Sequence, residues 1–204
     1  VLQGHQDSIS AIRYLKDTKE IISSDLSGNL FKWDEEGNSL LILKKNAAIQ
    51  AIFLSFDNKY LFYKTNEGKL SCIDLQDLKE LWTCEVQASF IIPSESDNEK
   101  FYCFSNNTIF IYKKTELLKT QKFKYRFTAV EVNETANEIY CGDDKGKIFV
   151  FDLQSLQEKT VLSKHTSVIS ALKISPDKTK LASGDNQKLM FKTVNGLEIN
   201  YVLE

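Results

Sequence analysis

A repeat of about forty residues constrains this chain more than any other feature, because a period of that length admits only stacked or radially arranged supersecondary units. Strand-ending pairs recur as Trp33-Asp34, Ile73-Asp74, Tyr112-Lys113, Phe151-Asp152 and, less cleanly, Phe191-Lys192, at spacings of 40, 39, 39 and 40 residues. A second register mark agrees: Asp74-Leu75-Gln76-Asp77-Leu78 returns two units later as Asp152-Leu153-Gln154-Ser155-Leu156. Five units follow, at approximately 4–43, 44–84, 85–123, 124–162 and 163–204.

Inside a unit the pattern is that of short strands. Ile9, Ala11 and Tyr14 precede a polar turn at Lys16-Asp17-Thr18-Lys19; Ile21-Ile22-Ser23, a Ser27-Gly28 turn and Leu30-Phe31-Lys32-Trp33 come next. The first turn recurs at residues 56–59, 96–99, 133–136 and 175–178, where Asp and Asn side chains bond nearby backbone amides. The second recurs as Glu67-Gly68, Asn106-Asn107 and Lys145-Gly146, residues that accept the positive φ of a tight hairpin. An outer strand ends each unit, at Leu40 to Leu43, Leu81 to Cys84, Leu118 to Phe123, Thr160 to Leu162 and Tyr201 to Leu203. Leu75, Leu78, Leu81 and Trp82 have helical spacing, but the same phase elsewhere is a loop entering an outer strand. The expected fold is all-β, a β-propeller of four-stranded antiparallel blades, and no Gly/Ser-rich linker divides it into domains.

Composition narrows the function classes. With 42% hydrophobic residues the chain can bury a core, and 26 Lys and Arg against 28 Asp and Glu give no field for general nucleic-acid or membrane binding. No apolar run approaches the roughly 18 residues of a membrane span. Cys72, Cys84, Cys103 and Cys141 form no CxxC pair and, with two histidines, no zinc spacing, so reduced buried thiols, no metal and no cofactor are expected.

The residues resemble the WD-repeat family. Gly4-His5, Ser23 and Trp33-Asp34 in the first unit, and Lys164-His165 with Ser183-Gly184-Asp185 in the fifth, stand where that family places a hydrogen-bonded His, Ser or Thr, Asp and Trp. The resemblance implies a structural network of His5, Ser23, Ser27, Trp33, His165, Ser183 and Asp185. With Ser27, Glu67, Asn106 and Lys145 at the expected Asp position, the network is expected to be whole in no unit, and the middle blades less rigid than the first. The order of units further resembles the second propeller of the actin-interacting protein 1 family, from the first unit's Leu30-Phe31-Lys32-Trp33-Asp34 to Leu181-Ala182-Ser183-Gly184-Asp185. That resemblance implies a cytoplasmic, cytoskeletal protein with actin and cofilin as partners, and a seven-bladed ring of which five blades are visible. The opening at Val1, with Val1-Leu2-Gln3 in the place of a preceding outer strand, fits a piece of a longer protein; a closed five-bladed ring is the alternative.

No nucleophile with a base, paired acid and base, or phosphate loop is readable, so a non-catalytic protein-binding role is expected. Two surfaces are candidates. One is a basic stripe of Lys119, Lys122, Lys124 and Arg126, with Phe123 and Tyr125 on the opposite strand face, suited to an acidic partner unless it is simply a solvated edge. The other is the face of inter-blade loops and second hairpins, with Gln6, Asp7, Asp25, Asn66, Glu67, Asp143 and Asp144. A general scaffold subunit with no actin role is the alternative function.

Overall fold

The computed structural model describes residues 3–163, 165–194 and 199–203. Val1, Leu2 and Lys164 lie outside the described residues, and with them the expected extra outer strand.

Each expected hairpin turn falls between strands, that at 133–136 beginning on the last residue of a strand. The first sheet contains β1 (Ile9–Leu15), β2 (Glu20–Asp25), β3 (Asn29–Trp33) and β4 (Ser39–Lys44); the second β5 (Ile49–Leu54), β6 (Tyr60–Thr65), β7 (Lys69–Asp74) and β8 (Glu80–Glu85). The third contains β9 (Phe90–Pro93), β10 (Lys100–Ser105), β11 (Thr108–Lys113) and β12 (Glu116–Lys122); the fourth β13 (Phe127–Asn133), β14 (Glu138–Asp143), β15 (Lys147–Asp152) and β16 (Glu158–Ser163). The fifth contains β17 (Ala171–Ile174), β18 (Lys180–Gly184), β19 (Leu189–Thr193) and β20 (Ile199–Leu203). In every sheet consecutive strands are neighbours, an antiparallel meander and the strand order of a propeller blade. No helix occurs among the described residues: Leu75 to Leu78 form a turn into β8.

The chain clusters into two compact units, one of residues 1–87, 93–101 and 112–116, the other of residues 88–92, 102–111 and 117–204. In the first, Leu15, Ile22 and Leu30 pack with Ile49, Ile52, Leu61, Tyr63 and Ile73, closing one core between two successive sheets. In the second, Tyr102, Phe104, Ile109 and Ile111 pack with Phe127, Val130, Ile139, Phe149 and Phe151. A further core joins Ala129, Tyr140, Ile148 and Val150 to Ile169, Leu172, Ile174 and Leu181. A sheet with two apolar faces cannot cover them alone, so burial accrues only between neighbours.

The second hairpin of a repeat is tied to the loop that enters the next. Lys45 N donates to Gly28 O at 2.9 Å, Val86 N to Gly68 O at 2.7 Å and Ile169 N to Asp143 O at 3.0 Å. Gly28 (φ +87°) and Gly146 (φ +80°) make this approach possible, since a Cβ would sit 2.3 Å from Lys45 O and 2.4 Å from His165 O.

Register corrects one sequence alignment. Trp33 pairs with Ile21, Ile73 with Leu61 and Phe151 with Ile139, whereas in the fifth sheet Lys192 pairs with Leu181. The counterpart of Trp33 is therefore Lys192, one residue after Phe191.

Candidate functional site

The first repeat holds a complete polar network. Trp33 Nε1 donates to Ser23 Oγ at 2.7 Å, Ser23 Oγ meets His5 Nε2 at 2.6 Å, and His5 Nδ1 meets Asp25 Oδ2 at 2.7 Å. Every partner is satisfied when the imidazole carries its proton on Nδ1 and accepts from Ser23 on Nε2. Asp25 Oδ1 accepts from Asn29 N at 2.8 Å and from Ser27 Oγ at 2.9 Å, and Oδ2 from Asn29 Nδ2 at 2.9 Å. Two expectations fail here. The network is whole in this repeat, and its carboxylate is Asp25, which is fully buried rather than part of a binding surface. The carboxylate stands two residues before the expected position, Ser27, whose hydroxyl instead braces Asp25. Burial alone would push the Asp25 carboxyl up, but the hydrogen bonds from Asn29, His5 and Ser27 outweigh it and hold the group well below the usual carboxylate range.

The other repeats occupy the same places differently. In the fifth, His165 Nε2 meets Ser183 Oγ at 2.8 Å. Its Nδ1 lies 3.2 Å from Asp185 Oδ2, near enough for charge attraction but misaligned for a hydrogen bond. Burial would raise Asp185, yet hydrogen bonds from the backbone amides of Gln187 and Lys188 outweigh it and hold the carboxyl at about 2. In the second repeat Lys45 stands for the histidine and Tyr63 for the serine. Lys45 Nζ pairs with Glu80 at 2.8 Å, the Tyr63 hydroxyl donates to the same carboxylate, and Thr83 Oγ1 donates to it at 3.1 Å. In the fourth the places are filled by Phe123, Cys141 and Phe151, with ring centroids of Phe123 and Phe151 4.4 Å apart. An apolar set avoids the cost of leaving a buried donor unmatched.

Of the surface candidates, Gln6, Asp7, Asn66, Glu67 and Asp144 are exposed; Asp7 accepts from Ser8 N at 2.7 Å and Glu67 pairs with Lys69 at 2.9 Å. Asp143, placed with them from sequence, is buried, because its Oδ1 anchors the hairpin through Lys145 N at 2.9 Å and Lys147 N at 2.8 Å. The basic stripe is corrected too. β12 ends at Lys122, so Lys124 and Arg126 lie on the loop into β13 rather than on a strand face, and Lys119 Nζ donates to Gln154 O. Lys122, Lys124 and Arg126 are exposed, while Phe123 and Tyr125 turn inward against the core.

The structure brings parts of the two candidate surfaces together. Lys124, Tyr125, Arg126, Asp143, Asp144, Lys145, Lys147 and Phe149 line one cavity of about 240 Å³. Lys145, Lys147 and Phe149 were missed from sequence; the available signal was Lys145 and Lys147 flanking Gly146 in the hairpin of Asp143 and Asp144. A second cavity, about 310 Å³, is lined by Tyr60, Cys72, Leu81, Trp82, Asn98, Glu99, Lys114 and Thr115. Burial pushes the Cys72 thiol up to about 12, so it is a poor nucleophile there. No group of three or more His, Cys, Asp or Glu able to hold a metal occurs among the described residues.

Comparisons with known proteins fit this geometry. The profile of the WD40 family (WD domain, G-beta repeat) matches residues 1–34 and 156–191. Actin-interacting protein 1-2 of Arabidopsis thaliana is 23% identical over 194 residues, covering 89% of this chain and 31% of that protein. The 66 kDa stress protein of Physarum polycephalum is 29% identical over 87 residues, covering 42% of this chain and 14% of that protein. The chain thus spans less than a third of either relative. Among solved structures, the β-propeller domain of Myceliophteria thermophila Cps50 (Swd1) superposes with a TM-score of 0.79 at 15% identity, covering 98% of this chain and 73% of that one. A chain of the mitotic checkpoint complex does so with a TM-score of 0.76 at 12% identity, covering 97% and 63%. The chain resembles the WD-repeat family, and its fold is that of β-propeller blades.

Proposed function

We propose that this chain is a non-catalytic protein-binding propeller segment that acts with cofilin in dismantling actin filaments, in the cytoplasm with the cytoskeleton. The observation that carries the reading is the extent of the likeness to actin-interacting protein 1-2. At 89% of the chain it runs through the order of the repeats rather than matching one of them. The mechanism needs no covalent step: a protein that recognises cofilin-decorated actin and binds its severed fragments or subunits better than the intact filament shifts the equilibrium toward disassembly by that difference in affinity. Rigid four-stranded sheets with exposed loops such as Gln6-Asp7 and Asn66-Glu67 are suited to present such contacts.

Co-sedimentation with actin filaments, with and without cofilin, tests it. Cofilin-dependent binding, or transfer of actin to the supernatant, is expected. Absence of both overturns the reading, and a reproducible set of non-actin partners in affinity capture would then support a general scaffold.

A further inference from the structure

Four cations converge on the cavity at the hairpin end of the fourth repeat, and we propose that it receives the phosphate of a phosphorylated serine or threonine in a partner peptide. This goes beyond the actin reading and does not rest on it.

Elsewhere cations are commonly neutralised, as in the pairs Lys32 with Glu20, Lys113 with Asp97, Lys159 with Glu138 and Lys173 with Glu131. At this cavity Lys124 and Arg126 come from the loop between β12 and β13, and Lys145 and Lys147 from the hairpin between β14 and β15. All four are exposed, and none has an ion pair among the described residues. Two carboxylates line the same space, so four positive charges less two negative leave two positive. One of those carboxylates, Asp143, is buried and already engaged by the amides of Lys145 and Lys147, which fixes the hairpin that carries both lysines.

The wall is aromatic. Tyr125 stacks on Phe149 with centroids 3.6 Å apart, and Lys124 Nζ lies 5.2 Å from the Tyr125 centroid. An aromatic surface displaces water and strengthens the attraction felt by an anion beside it. In a space of about 240 Å³ the two compensating charges are best brought by one group. A phosphomonoester carries roughly −1.5 to −2 at neutral pH on a single centre, while a carboxylate brings one charge and two acidic side chains need room for two stems. Arg126 supplies a planar fork that can bond two phosphate oxygens at once, with the lysines as point charges around it.

Fluorescence anisotropy with a degenerate nonapeptide library carrying a fixed central phosphoserine tests the proposal, against the same library with Ser or Glu at the centre. The phosphoserine library is expected to bind at least about tenfold more tightly than the Glu library, with no saturable binding of the Ser library. Arg126→Gln combined with Lys147→Gln is expected to abolish that binding without changing the thermal midpoint. Should that pair perturb folding, Lys124→Gln with Lys145→Gln provides the same comparison. Equal binding of phosphoserine and Glu libraries, no binding of either, or binding indifferent to both variant pairs overturns the proposal. So does sedimentation with phosphatidylcholine vesicles containing phosphatidylinositol bisphosphate in the absence of peptide binding, which would assign the cations to a membrane surface.

Discussion

Ser23 is the residue on which the first repeat's network turns, because its single oxygen serves both the Trp33 indole and the His5 ring. Ser23→Ala leaves a buried N–H without an acceptor, a loss of about 1–3 kcal/mol. The denaturant midpoint of the variant should fall accordingly, with the slope unchanged. The neighbouring Asp25 sets a pH dependence whose sign follows from its depressed carboxyl. Its contribution is complete above the unfolded value of about 4 and is lost as pH falls through the folded value. Asp25→Asn should therefore lower the melting temperature at pH 7 and flatten the decline below about pH 4; parallel acid limbs for both proteins would refute this. His5, Ser23 and Trp33 were legible in the sequence because their spacing is that of a known motif. Asp25 was not, since its carboxylate acts from the last residue of β2 back into the turn, bonding the amide of Asn29. The Lys45, Tyr63 and Glu80 set was equally hidden, because Glu80 belongs to the outer strand and comes near only in the folded sheet.

At the scale of the element, the clearest case of sequence dictating geometry is the repeated Asp-Leu-Gln-x-Leu turn. Asp74 Oδ1 accepts from Gln76 N at 2.8 Å and Asp152 Oδ1 from Gln154 N at 3.1 Å. In both copies the closing leucine is left-handed, Leu78 at φ 59° and Leu156 at φ 61°. A left-handed non-glycine residue costs about 1–2 kcal/mol, and full burial of a leucine returns about 1.5–3 kcal/mol. Leu156 is buried in the core shared with Phe151, so burial wins, and Leu156→Gly should destabilise by about 1 kcal/mol or more. Leu78 is only half-buried, and Leu78→Gly should lie within about 0.5 kcal/mol of neutral. Paired urea titrations check the difference, and equal losses at the two sites would contradict the account. Hairpins such as these were readable because Asp, Asn and Gly act locally. The end of β12 was not, because alternation of Lys122, Phe123, Lys124, Tyr125 and Arg126 continues past the last paired residue into a loop whose aromatic rings still face the core.

For the whole molecule, the polar network and the burial pattern argue for opposite orders of rigidity. A complete network in the first repeat predicts that repeat to be the firmest. Burial predicts the fourth, where β14 and β15 each carry unbroken runs of buried residues, Ile139 to Asp143 and Ile148 to Phe151. In the first sheet, by contrast, Ile9, Ile12 and Tyr14 of β1 and Leu40 and Leu41 of β4 are exposed. Magnitudes decide between them. One hydrogen bond contributes about 0.5–1.5 kcal/mol net, whereas each fully buried large apolar side chain contributes about 1.5–3 kcal/mol. The apolar Phe123, Cys141 and Phe151 set also leaves nothing unmatched when the fourth repeat breathes. Opening free energy follows local burial and contact density, so amides of β14 and β15 should exchange with deuterium most slowly. Those of β1 and β4 should exchange well before them, and those of β2 and β3 in between. Mass spectrometry of peptic fragments resolves the three classes, and slower exchange in β2 and β3 than in β14 and β15 would show that the network outweighs burial.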